Sequence, residues 1–275
     1  MEARSLSRVE ARVVLSLEAD AREEVTIGEI EQRAAVSRAF ARKLAHTLAQ
    51  KGWLQRVGQG RYLVNPARHG PDSIADSDPL RLGAHLVAPY YFGYATAAEL
   101  LGLLPQASRT YYIVSPVRSG FRAVHAAQFR LVHVRPASFF GMEPLTRRGE
   151  QLTISDPERT VLDCLQRPEF SGGLGGVVRI LESAGRRLRW GRLEAYLERL
   201  GQRSLALRLG FLAEKVELRP APPRRWVDRA RARRSEPYVP LGPPKEFGRR
   251  GPRDERWHVI GNVPDSLLLA EVDLR

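Results

Sequence analysis

Arg38, Arg42 and His46 recur at four-residue spacing in the stretch 37–66, SRAFARKLAHTLAQKGWLQRVGQGRYLVNP, and Lys43 stands beside them. The stretch holds six lysines and arginines and no carboxylate. A guanidinium forks two N–H donors onto a guanine edge or a phosphate, while an ammonium holds phosphate as a point charge. Side chains four apart share one face of a helix. The chemistry offered is therefore recognition of a nucleic-acid duplex.

That face has to be carried by a helix. Ser37 is placed to cap its first turn, Phe40, Leu44 and Leu48 form an apolar stripe, and Gly52 ends it. Trp53, Leu54, Val57, Tyr62, Leu63 and Val64 predict two strands joined at Gly58-Gln59-Gly60. Upstream, Thr26 with Glu29 three residues on has the spacing of a capping box. Ile27, Ile30, Ala34 and Ala35 give that helix its buried side, and Val36 begins the turn. Leu6, Val9, Val13 and Leu17 predict an earlier helix. Three helices and a hairpin over 1–66 predict a winged helix-turn-helix, whose last helix enters the major groove. Ser37, Arg38, Arg42, Lys43 and His46 are the groove-facing candidates. Arg56, Gln59 and Arg61 are candidates for wing contacts to phosphate or the minor groove. A small structural module with a solvated basic face is the plainer alternative. The placing of the carboxylates on the first two helices favours DNA.

The whole chain agrees with a polyanionic partner. Its 275 residues carry a net charge of +13 and a pI near 10.6. Forty of the 44 basic residues are arginines, a bias that a GC-rich genome also produces, so it carries no specificity. The single cysteine, Cys164, excludes a disulfide framework and a cysteine-rich zinc site. The most apolar long window, 85–104, is broken by Pro89, Gly93, Glu99 and Gly102, which argues against a membrane span and for a cytoplasmic protein.

Residues 67–80 read as a Pro/Gly/Ser/Asp linker and 81–218 as a second, α+β domain. Strands are expected at 90–94, 110–114, 129–134 and 152–154. Thr96 is placed to cap a short helix closed by Gly102. Asp156-Pro157-Glu158 is a strong helix start, with Val161, Leu162 and Leu165 on its apolar face and Pro168 as its stop. Beyond the glycine cluster 172–176 come helices marked by Val177, Ile180 and Leu181, then Leu193, Tyr196, Leu197 and Leu200, then Leu205, Leu209 and Leu212. The tail, 219–275, is a basic, proline-rich extension. Its stretch 219–253 has eleven basic residues against three acids. Arg224, Arg225, Arg229, Arg231, Arg233 and Arg234 are candidates for a nucleic-acid arm. Strand character at 257–260 and 267–272 folds the chain's end back onto domain two.

Enzyme readings fare poorly. Asp156, Glu158 and Asp163 are explained by capping and helix-surface roles. The glycine cluster lacks the lysine and hydroxyl of a P-loop, and the six histidines lack metal spacing. Tyr90, Tyr91 and Tyr94 could stack bases, although core packing is the ordinary fate of such rings. No catalytic residue, cofactor or metal ligand is expected.

The chain resembles the AbiEi antitoxins of AbiE-type (type IV) toxin–antitoxin systems. The resemblance lies in the winged helix with Gly60-Arg61-Tyr62, in PYYFGYATAAELLGL (89–103), in SDPERTVLDCLQRPEFSGGLGGV (155–177), in LALRLGFLAEKV (205–216), and in YVPL (238–241) with RWHVIGNVP (256–264). It implies an antitoxin domain after the winged helix. It implies a protein, monomeric in solution, that binds inverted repeats in its own promoter cooperatively and represses transcription. It also implies a nucleotidyltransferase toxin as functional partner, with no stable complex required. Only 37–51 and 56–61 inherit a DNA-contacting role from it. The segment 224–234 is heavier in arginine than the family pattern. A regulator without a toxin partner, and a nucleic-acid-processing enzyme docked by the winged helix, stay open beside it.

Overall fold

The computed structural model describes residues 5–67, 78–105, 109–124, 127–147, 150–231 and 237–270. The protein is of mixed α+β class, and its contacts divide it into two compact units, Met1–Val87 and Ala88–Arg275.

Unit 1 opens with α1 (Arg8–Ala19), β1 (Glu24–Thr26), α2 (Ile27–Ala34) and α3 (Arg38–Gln50). The hairpin β2 (Leu54–Gly58) and β3 (Arg61–Val64) follows, and α4 (Pro79–Ala84) closes the unit. Two capping boxes start α1 and α2: Ser7 with Glu10, and Thr26 with Glu29. The strands form one antiparallel sheet in the order β1-β3-β2, with Val25 opposite Tyr62 and Tyr62 opposite Arg56. The hairpin turns through Gly60 at φ +71°, a backbone that favours glycine. Strand β1 is absent from the sequence-based expectation; three residues ahead of a cap carry too little pattern to announce a strand.

The buried stripe of α3 is Ala41, Leu44, Ala45 and Leu48, and Phe40 is 46% exposed. The expected stripe runs through large side chains, but the spacing i, i+3, i+4, i+7 from Ala41 is what faces the core. Val9 is likewise at the surface, and Val13, Val14 and Leu17 hold α1 to the core. Ala35 is exposed; it ends α2 in the left-handed conformation at φ +53°. The contacts place α4 in unit 1, beyond the compositional break, and residues 68–77 of the expected linker lie outside the described residues.

Unit 2 begins with β4 (Tyr91–Phe92), α5 (Tyr94–Leu100), β5 (Thr110–Ser115), β6 (Gly120–Val124), β7 (Ala127–His133), β8 (Met142–Arg147) and β9 (Glu150–Ser155). Its helices are α6 (Pro157–Gln166), α7 (Gly173–Ala184), α8 (Trp190–Leu200), α9 (Arg203–Lys215) and α10 (Arg224–Arg231). The end of the chain forms β10 (Val239–Pro240), α11 (Pro244–Phe247), β11 (Arg253–Asp254), β12 (Val259–Ile260) and α12 (Asp265–Leu268). Six strands make a mixed sheet, β6-β7-β5-β4-β9-β8, in which β5/β7 and β4/β9 are parallel. Tyr91, Val114 and Val132 are neighbours in register, so they share a face, and the helices bury it with Val161, Leu165, Val178, Leu181, Leu193 and Leu212. Strands β6 and β8 escape the sequence reading because they are the two edges, where one-sided exposure removes the apolar signal.

Three expectations are corrected here. Thr96 caps nothing: it lies inside α5, buried, and its hydroxyl accepts the Tyr112 N–H at 2.8 Å. The residues 265–268 form a helical turn rather than a strand, and 271–272 lie outside the described residues. Of the tyrosines weighed as a stacking surface, Tyr91 and Tyr94 are core residues. The tail does pack on unit 2. Trp226, Val227, Leu241, Trp257 and Val259 all join its core, and the Trp257 ring occupies the space a Cβ on Gly210 would need.

Candidate nucleic-acid interface

Helix α3 is held in place from both ends. At its start Ser37 Oγ accepts the Phe40 N–H at 3.4 Å. Before that, the left-handed Ala35 lets the chain turn from α2 to α3 in three residues. At its end Lys51 donates to both Glu10 oxygens, at 2.8 and 3.0 Å, and Glu10 is almost fully buried. Burial pushes the Glu10 carboxyl up, but the Lys51 ammonium and the amide and hydroxyl of Ser7 outweigh it and hold it below its usual value. The core-facing alanines and leucines leave Arg38, Ala39, Arg42, Lys43, His46 and Gln50 on the exposed part of the helix.

Three further carboxylates of unit 1 are engaged away from α3. Glu29 takes Arg22 and caps α2; Asp20 takes Arg33 at 2.7 Å. Glu24 takes His85 and, at 2.7 Å, Arg61. The last pair follows from register: Thr26 is opposite Arg61, so Glu24 is its diagonal neighbour on the same face of the sheet. Burial raises Glu24, and Arg61 and His85 together bring it below its ordinary value.

The expected residues therefore divide. Arg38, Arg42, Lys43 and His46 are exposed, and among the described residues their side chains meet no hydrogen-bond or ionic partner. Ser37 spends its hydroxyl on the cap. In the hairpin, Arg56 is exposed and bends back to the Gly58 carbonyl at 3.3 Å, and Gln59 stands exposed in the turn. Arg61 is tied down by Glu24 and donates to the His85 carbonyl at 3.4 Å. Lys51, part of the same basic run, is a structural residue.

The candidate arm is an ordered helix over its first half. Trp226 and Val227 of α10 are core residues, Arg225 and Arg229 each lie 2.6 Å from Glu194 of α8, and Arg224 is exposed. Arg231 is the last residue of α10, and Arg233 and Arg234 lie outside the described residues.

The carboxylates weighed for catalysis are buried in unit 2. Asp156 caps α6 and accepts the Tyr196 hydroxyl at 2.6 Å. Glu158 accepts the Arg189 N–H at 2.8 Å. Asp163 pairs with Arg159 at 2.8 Å and accepts the Tyr91 hydroxyl at 3.1 Å. Burial raises Asp163 above its usual value against the pull of Arg159. Among the described residues no three His, Cys, Asp or Glu side chains converge as a metal-holding group, and no helix is long and apolar enough to cross a membrane.

No protein-family model and no curated protein matches this sequence. Among solved structures, the chain is similar to the RV2827C protein of Mycobacterium tuberculosis, at 20% identity and a TM-score of 0.64, over 94% of this chain and 92% of that one, a likeness of fold.

Proposed function

We propose that this protein is a transcriptional repressor whose unit 1 is a winged helix-turn-helix, with α3 as the helix that reads bases and β2–β3 as the wing. One observation carries the reading. The exposed side of α3 concentrates Arg38, Arg42 and Lys43, whose side chains have no partner among the described residues, while Glu10, Glu24, Glu29 and Asp20 are paired with Lys51, Arg61, Arg22 and Arg33. Three such cations with the His46 ring beside them, behind a first turn free of acids, suit a polyanion that presents hydrogen-bond acceptors in a groove. Arg42, Lys43 and His46 take the base-facing role. Arg38 and Arg56 take the phosphate role, which fixes register without reading sequence. Arg61 is assigned to the fold.

The resemblance to AbiEi antitoxins extends the reading. The operator is an inverted repeat in the protein's own promoter, bound cooperatively by a chain that is monomeric in solution. The product of a neighbouring gene is a nucleotidyltransferase toxin that the protein counteracts without its own catalysis or cofactor. Footprinting of the purified protein on its promoter tests this directly. Protection of two symmetric half-sites that vanishes with Arg42→Ala supports it; an unprotected promoter at low salt overturns it.

A further inference from the structure

A second meeting of cations and rings lies in unit 2. From 100 to 142 the sequence has five arginines, at 109, 118, 122, 130 and 135, and no Asp or Glu. This stretch builds β5, β6 and β7. Register places Phe121 of β6 beside Arg130 of β7, and Arg130 beside Tyr112 of β5, as a row across three strands on one face. Phe121 is 48% exposed and Arg130 is exposed. The Phe170 ring packs at 4.9 Å on Tyr112, with the guanidinium of Arg167 4.4 Å and that of Arg130 6.0 Å from its centre. Tyr112 and Phe170 also wall a cleft of about 340 Å³ that Leu104 and Pro105 help to line. Neither of its carboxylates is free: Glu169 lies 2.6 Å from Arg167, and Glu99 has its own partner.

Phe121 is an aromatic ring left half in water on an edge strand, beside cations and with no acid in β5, β6 or β7, and so is open to a flat, anionic ligand. Rings give bases a flat stacking surface, and arginine planes stack and hold phosphate at once. A duplex hides its base faces inside its own stack, so the complementary ligand is an unpaired strand. We propose that the open end of this sheet face, beyond the part that the helices cover at Val114 and Val132, binds single-stranded nucleic acid, with bases stacked on Phe121 and against the Tyr112–Phe170 pair and Arg130 between them. This site is separate from α3, and duplex recognition by unit 1 is not needed for it.

The test uses the full chain and labelled strands of about 12 nucleotides, oligo-dT and oligo-U, beside a promoter duplex. Phe121→Ala and Arg130→Ala should each weaken single-strand binding about tenfold or more and leave the duplex affinity unchanged. Arg130→Lys, which keeps charge and loses the plane, should fall between Arg130→Ala and wild type. Arg42→Ala should leave single-strand binding intact. Both side chains are exposed, so melting temperatures should hold. Wild-type protein that ignores single strands, Phe121 and Arg130 variants that bind like wild type, or binding lost at Arg42 instead, each overturns the proposal. So does sedimentation showing a dimer that Phe121→Ala dissolves, with no strand bound: the face would then join two copies of the chain.

Discussion

Lys51 Nζ lies 2.8 Å from Glu10 Oε2, joining the end of α3 to the first turn of α1 across 41 residues of sequence. The bond sets where the exposed cations of α3 stand relative to the rest of unit 1. It also makes Lys51 the one lysine of that helix region whose loss the fold should feel.

Lys51→Ala strands a buried carboxylate, and breaking such a pair costs more than the pair itself contributes. Unit 1 should lose about 1–3 kcal/mol, since Glu10 keeps its bonds to Ser7. Urea titration followed by tryptophan fluorescence reads it, Trp53 being the tryptophan of this unit's core. An unchanged midpoint would show the pair to be ornamental.

Arg42→Ala and Arg61→Ala should behave as opposites. Arg42 has no partner among the described residues, so its loss should spare the melting temperature and cost about 1–3 kcal/mol of affinity for promoter DNA. Arg61 is half-exposed and paired with Glu24, so its loss should cost at most about 1 kcal/mol of stability and leave affinity nearly intact. Removing Arg38 or Arg56, to which the phosphate role is assigned, should instead flatten the log–log dependence of affinity on salt, by about 0.9 for each phosphate that is no longer neutralised. Equal binding defects at 42 and 61 would return Arg61 to the interface.

Ala35 holds a left-handed backbone at φ +53° that costs an L-residue about 1 kcal/mol or more. Ala35→Gly relieves it and loosens the unfolded chain, so the net gain should be about 0.5–1 kcal/mol. A lower denaturation midpoint would contradict the α2–α3 turn described above.

Gly210→Ala should do the reverse in unit 2. A Cβ there would stand 2.1 Å from the Trp257 ring, which is fully buried and has nowhere to go. Overpacking of this kind costs about 1–3 kcal/mol or more. Adding Trp257→Leu should restore part of the loss, as thermal melts of the double variant would show. Two strictly additive losses would mean that the residues do not touch.

Acid should loosen unit 1. Glu10, Glu24 and Glu29 all sit below the ordinary glutamate value of 4.5; burial alone would raise them, and it is overcome by Lys51 with Ser7 at Glu10, by Arg61 and His85 at Glu24, and by the Thr26 amide and hydroxyl with Arg22 at Glu29. The unfolded chain therefore binds these protons more tightly than the folded one. Their stabilisation is complete above about pH 4.5 and disappears as pH falls through the folded values. The melting temperature of unit 1 should be flat from neutral pH to about 5 and drop beneath that. A fall already evident at pH 6 would point to a different group.

Local chemistry made much of unit 1 readable from sequence. Thr26 with Glu29 and Ser37 announce their helices through hydroxyls that bond the next amides, and those bonds form. Alanines defeated the stripe of α3, because Ala41 and Ala45 bury a helix face without looking apolar enough to define it. Arg61 looked like Arg56, and only the pairing of β1 with β3, invisible in a three-residue strand, brings Glu24 onto it. The same holds in the tail. Its charge suggested a free arm, whereas Trp226 and Val227 anchor α10, so deleting 224–253 would remove core rather than a loose strip. The Phe121–Arg130–Tyr112 row was beyond reach, since neighbours in register across three strands are scattered in sequence.

The seat of Trp257 beside Gly210 bears on how the protein is made. Unit 1 has the core of its first three helices and hairpin once residue 64 has left the ribosome tunnel, and α4 adds Leu80 and Leu82 soon after. Unit 2 lacks its wedge until residue 257 emerges. During translation, then, the unit proposed to grip a promoter is finished while unit 2 is still unsealed.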